Sequence, residues 1–412
     1  MSTRFAWLLG TVALVVLAIG GLVACGSKYS TSSDGLVIVG SQGSALIQTF
    51  SFSLANGHIA GVSNPPLTPG IPTAIVLDPA GAYAYTIVAA NSAVTNSSTG
   101  IAAFKVNSNG SMTAVGSVVS DPNPVALAMD SSGKFLFVAE GLMGLVNVYG
   151  VSAGTLTPVP GTFTFVNGTG FQTPNIAALA PTPTVLPSNG INGIQNSVCS
   201  DTGNNAPTTE YLYAADSVNN VVWEFSVDTS TGALGNPGIL ASVPSFAAGS
   251  VPSGVAVDPC NRFVYVSNQT SNNVSAYTMC NGSTTQSSTC QATDGRLVAV
   301  TGSPFSLTGG ANGPGPMLVD PFGNYVYVVD VKSNMVSPFH ISPVSGSLTA
   351  GSVAATGQQP TAIAIRSDDN WLFVTNYAGA TLSQYAITPA SGVLTPQPLV
   401  TTDNYPWGVA VK

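Results

Sequence analysis

Charge is what this chain has least of. Only 6% of its 412 residues are Asp, Glu, Lys or Arg, against about a quarter in an ordinary soluble domain. Long amphipathic helices need Glu, Lys and Arg along their wet face, so the shortage argues against a helical architecture and for strands joined by uncharged turns. Basic residues are the scarcer kind, 9 Lys and Arg against 17 Asp and Glu, and they form no cluster. Nucleic-acid binding, which rests on cations neutralising phosphates, is thereby excluded. A phosphorylated ligand is disfavoured on the same ground, because several cations would have to converge on it. Histidine is nearly missing. His58 and His340 lie far from any Cys and no C-x-x-C occurs, so no metal site is expected, and no ligand set for a haem or other cofactor is present. Nor do two histidines, in a chain without G-x-S-x-G, assemble a Ser-His-Asp arrangement.

A long apolar run occurs at the N-terminus, from Phe5 to Ala24 behind Arg4, and ends in "LVAC" with Cys25. This is a targeting segment. The "LVAC" stretch resembles the bacterial lipobox, in which the Cys becomes the lipidated first residue after cleavage, so residues 1–24 are expected to be a lipoprotein signal peptide and 25–34 a lipidated Cys with a flexible tether. An uncleaved membrane-spanning anchor is the alternative, since about 20 apolar residues span a bilayer. Either way the body of the protein is expected outside the cytoplasm, held to the bacterial cell envelope by its N-terminus. Gly rather than Asp after Cys25 points to the outer membrane, facing periplasm or exterior, if the source is Gram-negative. Tethered there, the chain is expected to be monomeric.

What the chain has in abundance is a repeat. A Pro opens a short apolar run at Pro72, Pro124, Pro174, Pro252, Pro314, Pro360 and Pro406, and most copies are followed by a turn and an aromatic-rich run such as "FVYVSN" from Phe263 or "YVYVVD" from Tyr325. These are strands by residue type and length. A third run follows, then a fourth behind a "G-x-L" turn, as at Gly346 to Leu348. Each unit is a four-stranded antiparallel meander. The third copy is interrupted by an insertion over about 181–210, and the seventh stops one residue after its first strand, its missing strands being supplied by "GLVIVG", "ALIQTFSF" and "GHIAGV" from Gly35 onward. A blade assembled from both termini leaves no open edge. The fold expected is therefore all-β: a seven-bladed β-propeller over residues 35–412, closed by pairing the C-terminal strand with N-terminal ones. Small residues on one face of the first strand, such as Ala126 and Ala128, suit the crowded axis; larger ones such as Leu127 and Met129 lie opposite.

The stretches "PSGVAVDPCNRFVYVSNQTSNNVSAY", "PTAIAIRSDDNWLFVTNYAGATLSQYAITPASGVLTP" and "VNVYGVSAGTLTPV" resemble the seven-bladed lactonase family, relatives of 6-phosphogluconolactonase and of "YVTN" repeat propellers. The resemblance spans residues 35–412 and implies lactone hydrolysis. The matching positions are packing positions, so no catalytic residue carries over with it.

Candidate chemistry lies where second strands end, at the mouth of the central channel. Glu140, Asp216 and Asp330 are the carboxylates there, each able to act as general base toward a lactone carbonyl; Asn91, Asn268 and Asn376 are candidate ligand-binding amides. Glu140 is the least repeat-like. The alternative is that all six cap the turn that follows, as Asn and Asp do. Trp407, beside the Pro of the closing strand, is a candidate for stacking on a flat or sugar ligand, or for sealing the closure seam. Asp78, Asp130, Asp258 and Asp320 end first strands and read as turn formers, with Arg366 and Lys412 in their place in two copies. Four cysteines remain after Cys25, and four permit three pairings; their placement in turns of one face favours Cys280 with Cys290 and Cys199 with Cys260. Two functions stay open: a lactonase-like hydrolase acting on an uncharged or sugar-derived lactone, and a non-enzymatic surface propeller that binds a glycan, peptide or envelope partner at the mouth.

Overall fold

A computed structural model describes residues 35–62, 66, 68–91, 97–141, 144–160, 163–164, 175–183, 210–235, 238–239, 249–280 and 295–412. Its strands form seven antiparallel sheets. In the sheet that joins the termini, Pro406–Val411 pairs with Gly35–Ser41, followed by Leu46–Phe52 and Ile59–Gly61. The ring is closed as the repeat predicted.

Each interface between neighbouring blades holds its own apolar core, and the seven cores are built alike. Ala126 and Ala128 of one blade face Ile176, Leu179 and Trp223 of the next, while Leu127 on the other side of the same strand meets Tyr85 and Ile87 of the previous blade. Small faces large across each gap, which lets innermost strands converge without voids. The closing blade obeys the same rule, with Ile38 and Ala410 against Ile75 and Ala84 on one side and Val37 and Val409 against Phe373 on the other.

Two recurring sequence features turn out to be halves of one contact. The aromatic that opens a second strand lies on the glycine of the next blade's "G-x-L" turn: Tyr83 on Gly154, Phe135 on Gly232, Phe263 on Gly346 and Tyr325 on Gly392. A second aromatic two residues on reaches the same turn through its hydroxyl, with Tyr265 Oη donating to the Gly346 carbonyl at 3.2 Å and Tyr213 Oη to the Gly295 carbonyl at 2.5 Å. The "Y-V-Y" and "G-x-L" patterns therefore recur because every blade needs both to dock on its neighbours.

On the face where first strands end, Asp carboxylates hold the turn into the second strand. Asp78 accepts from the Tyr83 amide at 2.7 Å, Asp130 from Phe135 at 2.7 Å, Asp258 from Phe263 at 3.1 Å and Asp320 from Tyr325 at 2.7 Å. Arg366, in the same place, pairs with Asp368, and Lys412 donates to the Gly81 carbonyl. Cys260 and Cys280 are buried on this face and both are disulfide-bonded. Cys25, Cys199 and Cys290, the expected signal peptide and most of the insertion lie outside the described residues.

Two features differ from the sequence reading. In the third blade Ile176, not Pro174, occupies the Pro position, because Ile176 pairs with Asp216 as Pro124 pairs with Glu140. The inner small residues there are Ala178 and Ala180, two places further along. The outermost strand is also broken in several blades into two pieces that pair with opposite ends of the third strand, such as Leu348–Ala350 and Ala354–Ala355 on Met335–Ile341.

Candidate functional site

Alternating strand direction puts the starts of all first strands and the ends of all second strands on one face, the mouth face. There a ring of equivalent residues sits opposite the Pro position of each innermost strand, held by Ile176 in the third blade: Val88, Glu140, Asp216, Asn268, Asp330, Asn376 and Ser41. Five of the expected residues belong to this ring. Asn91 does not, since Val88 holds that place in the first blade, and Asn91 lies beyond the strand, bonded through its amide to Ser97. All five ring members named as candidates are fully buried rather than open to the channel, because each side chain turns back over its own sheet toward the residue seven places on.

How each is held depends on one backbone amide, that of the residue preceding the first strand. In the second and third blades it donates to the ring carboxylate of the same blade: Asn123 N to Glu140 Oε2 at 2.9 Å and Asn175 N to Asp216 Oδ1 at 3.2 Å. Asn147 then bonds the other Glu140 oxygen, and Asn219 and the Trp223 indole bond the other Asp216 oxygen, so both carboxylates are engaged on both sides. In the next three blades the same amide is captured by an asparagine of the preceding blade: Val251 N by Asn220, Gly313 N by Asn272 and Gln359 N by Asn334. Those asparagines sit at φ 57°, 56° and 57°, a conformation Asn tolerates better than most residues. The ring residue behind each clamp is left with one unpartnered oxygen, on Asn268, Asp330 and Asn376 alike.

Asp330 is the one carboxylate among those three. Its Oδ2 accepts from Ser337 Oγ at 2.7 Å and its Oδ1 has no partner. Burial pushes its carboxyl up to about 7, with the Ser337 hydroxyl pulling the other way. Asn268 and Asn376 fill the same position as amides, donating to Ser275 and Ser383 at 2.9 Å. A carboxyl that exchanges its proton near neutral pH, with a free oxygen, is the equipment of a general acid or base.

Sequence reasoning passed over Asp121. It is buried beside the second blade, where its Oδ2 accepts from Tyr149 Oη at 2.8 Å and Asn147 Nδ2 at 3.1 Å, so that Asn147 bridges it to Glu140. Burial raises its carboxyl, against the pull of those two donors. Its only sequence signal was an acidic residue immediately before "PNP".

The rim nearest the axis is made by bulges that sequence periodicity does not reveal. Pairing slips between Pro124 and Ala126, between Pro252 and Gly254, between Pro360 and Ala362 and around Trp407, turning out one residue in each: Val125, Ser253, Thr361 and Trp407. Ser253 and Thr361 spend their hydroxyls on carbonyls of the next innermost strand. These rim residues carry no charge. Among the described residues, the mouth face holds Asp121, Glu140, Asp216, Asp330 and Asp403 against a single cation, Lys332; the other described Lys and Arg lie toward the opposite face. His58 and His340 are exposed and away from the ring, and no group of three metal-ligating side chains occurs among the described residues.

Seven four-stranded blades, one of them built from both termini, make a seven-bladed propeller with carboxylates on its mouth face. The chain belongs to the family described as Lactonase, 7-bladed beta-propeller, which it matches over residues 30–174, 204–294 and 286–411. Similar solved structures include a putative 6-phosphogluconolactonase of Bacteroides fragilis, 18% identical over 93% of this chain and 99% of that one with a TM-score of 0.67. The periplasmic gluconolactonase of Pseudomonas aeruginosa is also 18% identical, over 92% and 99%, with a TM-score of 0.67. A protein of Lactobacillus plantarum reaches a TM-score of 0.69 at 16% identity over 92% and 99%. At such identities these likenesses speak to the fold. No curated protein matches.

Proposed function

We propose that this protein is an exported, envelope-anchored lactonase that hydrolyses an uncharged, sugar-derived lactone at its mouth face, with Asp330 as general base. The observation that carries the reading is Asp330 itself: a carboxyl pushed to about 7, one oxygen free, at a ring position where its neighbours are amides. Ionised Asp330 takes a proton from water as the water oxygen bonds to the lactone carbonyl carbon. Collapse of the tetrahedral intermediate breaks the ring C–O bond, and the proton passes from Asp330 to the departing alkoxide, giving the open hydroxy acid. Buried Asp330 must meet water for this. A mouth face with five acids and one lysine would repel a phosphorylated substrate, which supports a neutral one. Family membership supports the activity, the "LVAC" segment supports lipid anchoring at Cys25, and the solved periplasmic gluconolactonase is a structural likeness consistent with an extracytoplasmic place.

The second reading, a surface propeller that only binds a glycan or envelope partner, is favoured by the uncharged rim of bulged residues. A panel of neutral aldono- and alkyl-lactones, assayed by acid release over pH 5.5–8, separates the two. Hydrolysis requires a rate above background that falls about tenfold per pH unit below about 7 as Asp330 takes up its proton. No turnover of any lactone in the panel leaves the binding reading.

A further inference from the structure

The seam between the sixth and closing blades has a surface that the other seams lack among the described residues. Tyr377, which follows the ring residue Asn376, packs on Tyr405 with centroids 4.9 Å apart and planes at 32°, and meets Trp407 at 5.4 Å and 89°. Tyr405 is 49% exposed and Trp407 39%, far more than the packing rings elsewhere among the described residues. They do not seal the seam, because a separate buried cluster that includes Phe52, Trp371 and Phe373 already fills it. The backbone clamp is also different here. Where three other blades use an asparagine to clamp the residue before the next first strand, the sixth has Ala380, and the residue left without that clamp is Tyr405, which shares its left-handed backbone, φ 58°, with the clamped Val251, Gly313 and Gln359.

We infer that this three-ring seam binds the pyranose face of a neutral carbohydrate. Two rings at a right angle present both a flat floor and a wall, and the C–H face of a sugar ring packs on such π surfaces. Sugar hydroxyls need uncharged groups that both donate and accept, and side-chain amides do so. Three stand at the seam: exposed Asn404 precedes Tyr405, exposed Gln359 accepts the Tyr377 amide through its carbonyl at 2.9 Å, and the backbone amide of Gln42 donates to the Tyr405 carbonyl at 3.0 Å. A mouth face poor in cations rules out recognition through phosphate. The inference rests on the mouth being the ligand face and names the carbohydrate part of the ligand as what is recognised; it does not depend on hydrolysis.

The test is titration calorimetry of the full chain with cellobiose, maltose and chitobiose, none of them a lactone. At least one should bind saturably, glucose 6-phosphate should bind more weakly than all that do, and Trp407→Ala and Tyr377→Ala should each weaken binding about tenfold, with the melting temperature little changed for Trp407→Ala, whose ring is exposed. Tryptophan fluorescence, compared between the parent and Trp407→Ala, gives an independent readout, because Trp407 is exposed while Trp223 and Trp371 are buried. No saturable binding of any of the three sugars, or binding that survives the double variant, overturns the inference. Sugar binding without lactone turnover overturns only the hydrolytic reading, whereas lactone turnover by a protein that binds none of the three sugars overturns only this one.

Discussion

Replacing Gly346 by Ala tests whether the repeated motifs exist to dock blades. Gly346 has φ 71°, and a Cβ there would overlap the Phe263 ring of the preceding blade. The left-handed backbone alone makes Ala about 1–2 kcal/mol worse than Gly. Forcing a methyl into a packed ring adds about 1–3 kcal/mol, for roughly 2–5 in total. Gly310 supplies the control: its φ is 83° and nothing lies within 4 Å of the Cβ position, so Gly310→Ala carries the backbone term only. At roughly 2.1 cal/mol/K per residue, a domain of about 380 residues melts with an entropy near 0.8 kcal/mol/K. Calorimetry should therefore show melting temperature falling about 3–6 °C for Gly346→Ala and about 1–2 °C for Gly310→Ala. Equal losses in the two variants would refute the docking account, since they would leave only the backbone term common to both.

Asp369 is buried with neither oxygen partnered, and burial together with the charge of Asp320 pushes its carboxyl up to about 8. The folded state thus binds that proton more tightly than the unfolded state, so its contribution is full below about pH 4 and is lost as pH rises through about 8. Asp369→Asn, at a φ of 56° that Asn tolerates, should raise the melting temperature at pH 8 and flatten its decline from pH 5; Glu210, also pushed to about 8, keeps some slope in place. Glu140→Gln should lower the melting temperature, because the new amide hydrogens meet the Asn123 amide or Asn147 Nδ2, both donors. If Cys25 is lipidated, Cys25→Ser moves the protein from the membrane to the soluble fraction on fractionation and abolishes labelling by a fatty-acid probe; unchanged partition would refute the anchor. Peptide mapping by mass spectrometry should find Cys280 linked to Cys290 and Cys199 to Cys260, and a Cys199–Cys290 peptide would refute that pairing.

The architecture was legible because the repeat positions are blade contacts. Tyr325, Tyr327, Gly346 and the Ala126–Ala128 pair recur in kind wherever two sheets meet, and a period visible in residue type is a period in packing. The closing seam was legible for the same reason, since "PWGVAVK" lacked the strands that "GLVIVG" began. The candidate site was only half legible. Strand ends marked Glu140, Asp216 and Asp330, but which of them keeps a free oxygen is settled by whether the amide of a residue such as Asn123 or Gly313 turns inward or is taken by an asparagine from the neighbouring blade. That choice leaves a trace in sequence, an Asn just before the third strand at Asn220, Asn272 and Asn334, which reads as ordinary turn chemistry until the φ values are known. Bulges that expose Val125 and Trp407 leave no trace at all, because a slipped register changes no residue type.

The central claim rests on Asp330, and nature has already made the control. Asn268 and Asn376 occupy its position in the flanking blades and bond their serines as amides, so Asp330→Asn should leave the fold intact, with a melting temperature at pH 8 equal to or above that of the parent as a buried raised carboxyl is removed. Loss of a general base lowers turnover about 10²–10⁴-fold. Measured on the best lactone of the panel at pH 8, Asp330→Asn is predicted to fall by at least about a hundredfold while remaining folded; turnover within a few-fold of the parent would contradict the assignment of catalysis to this carboxyl.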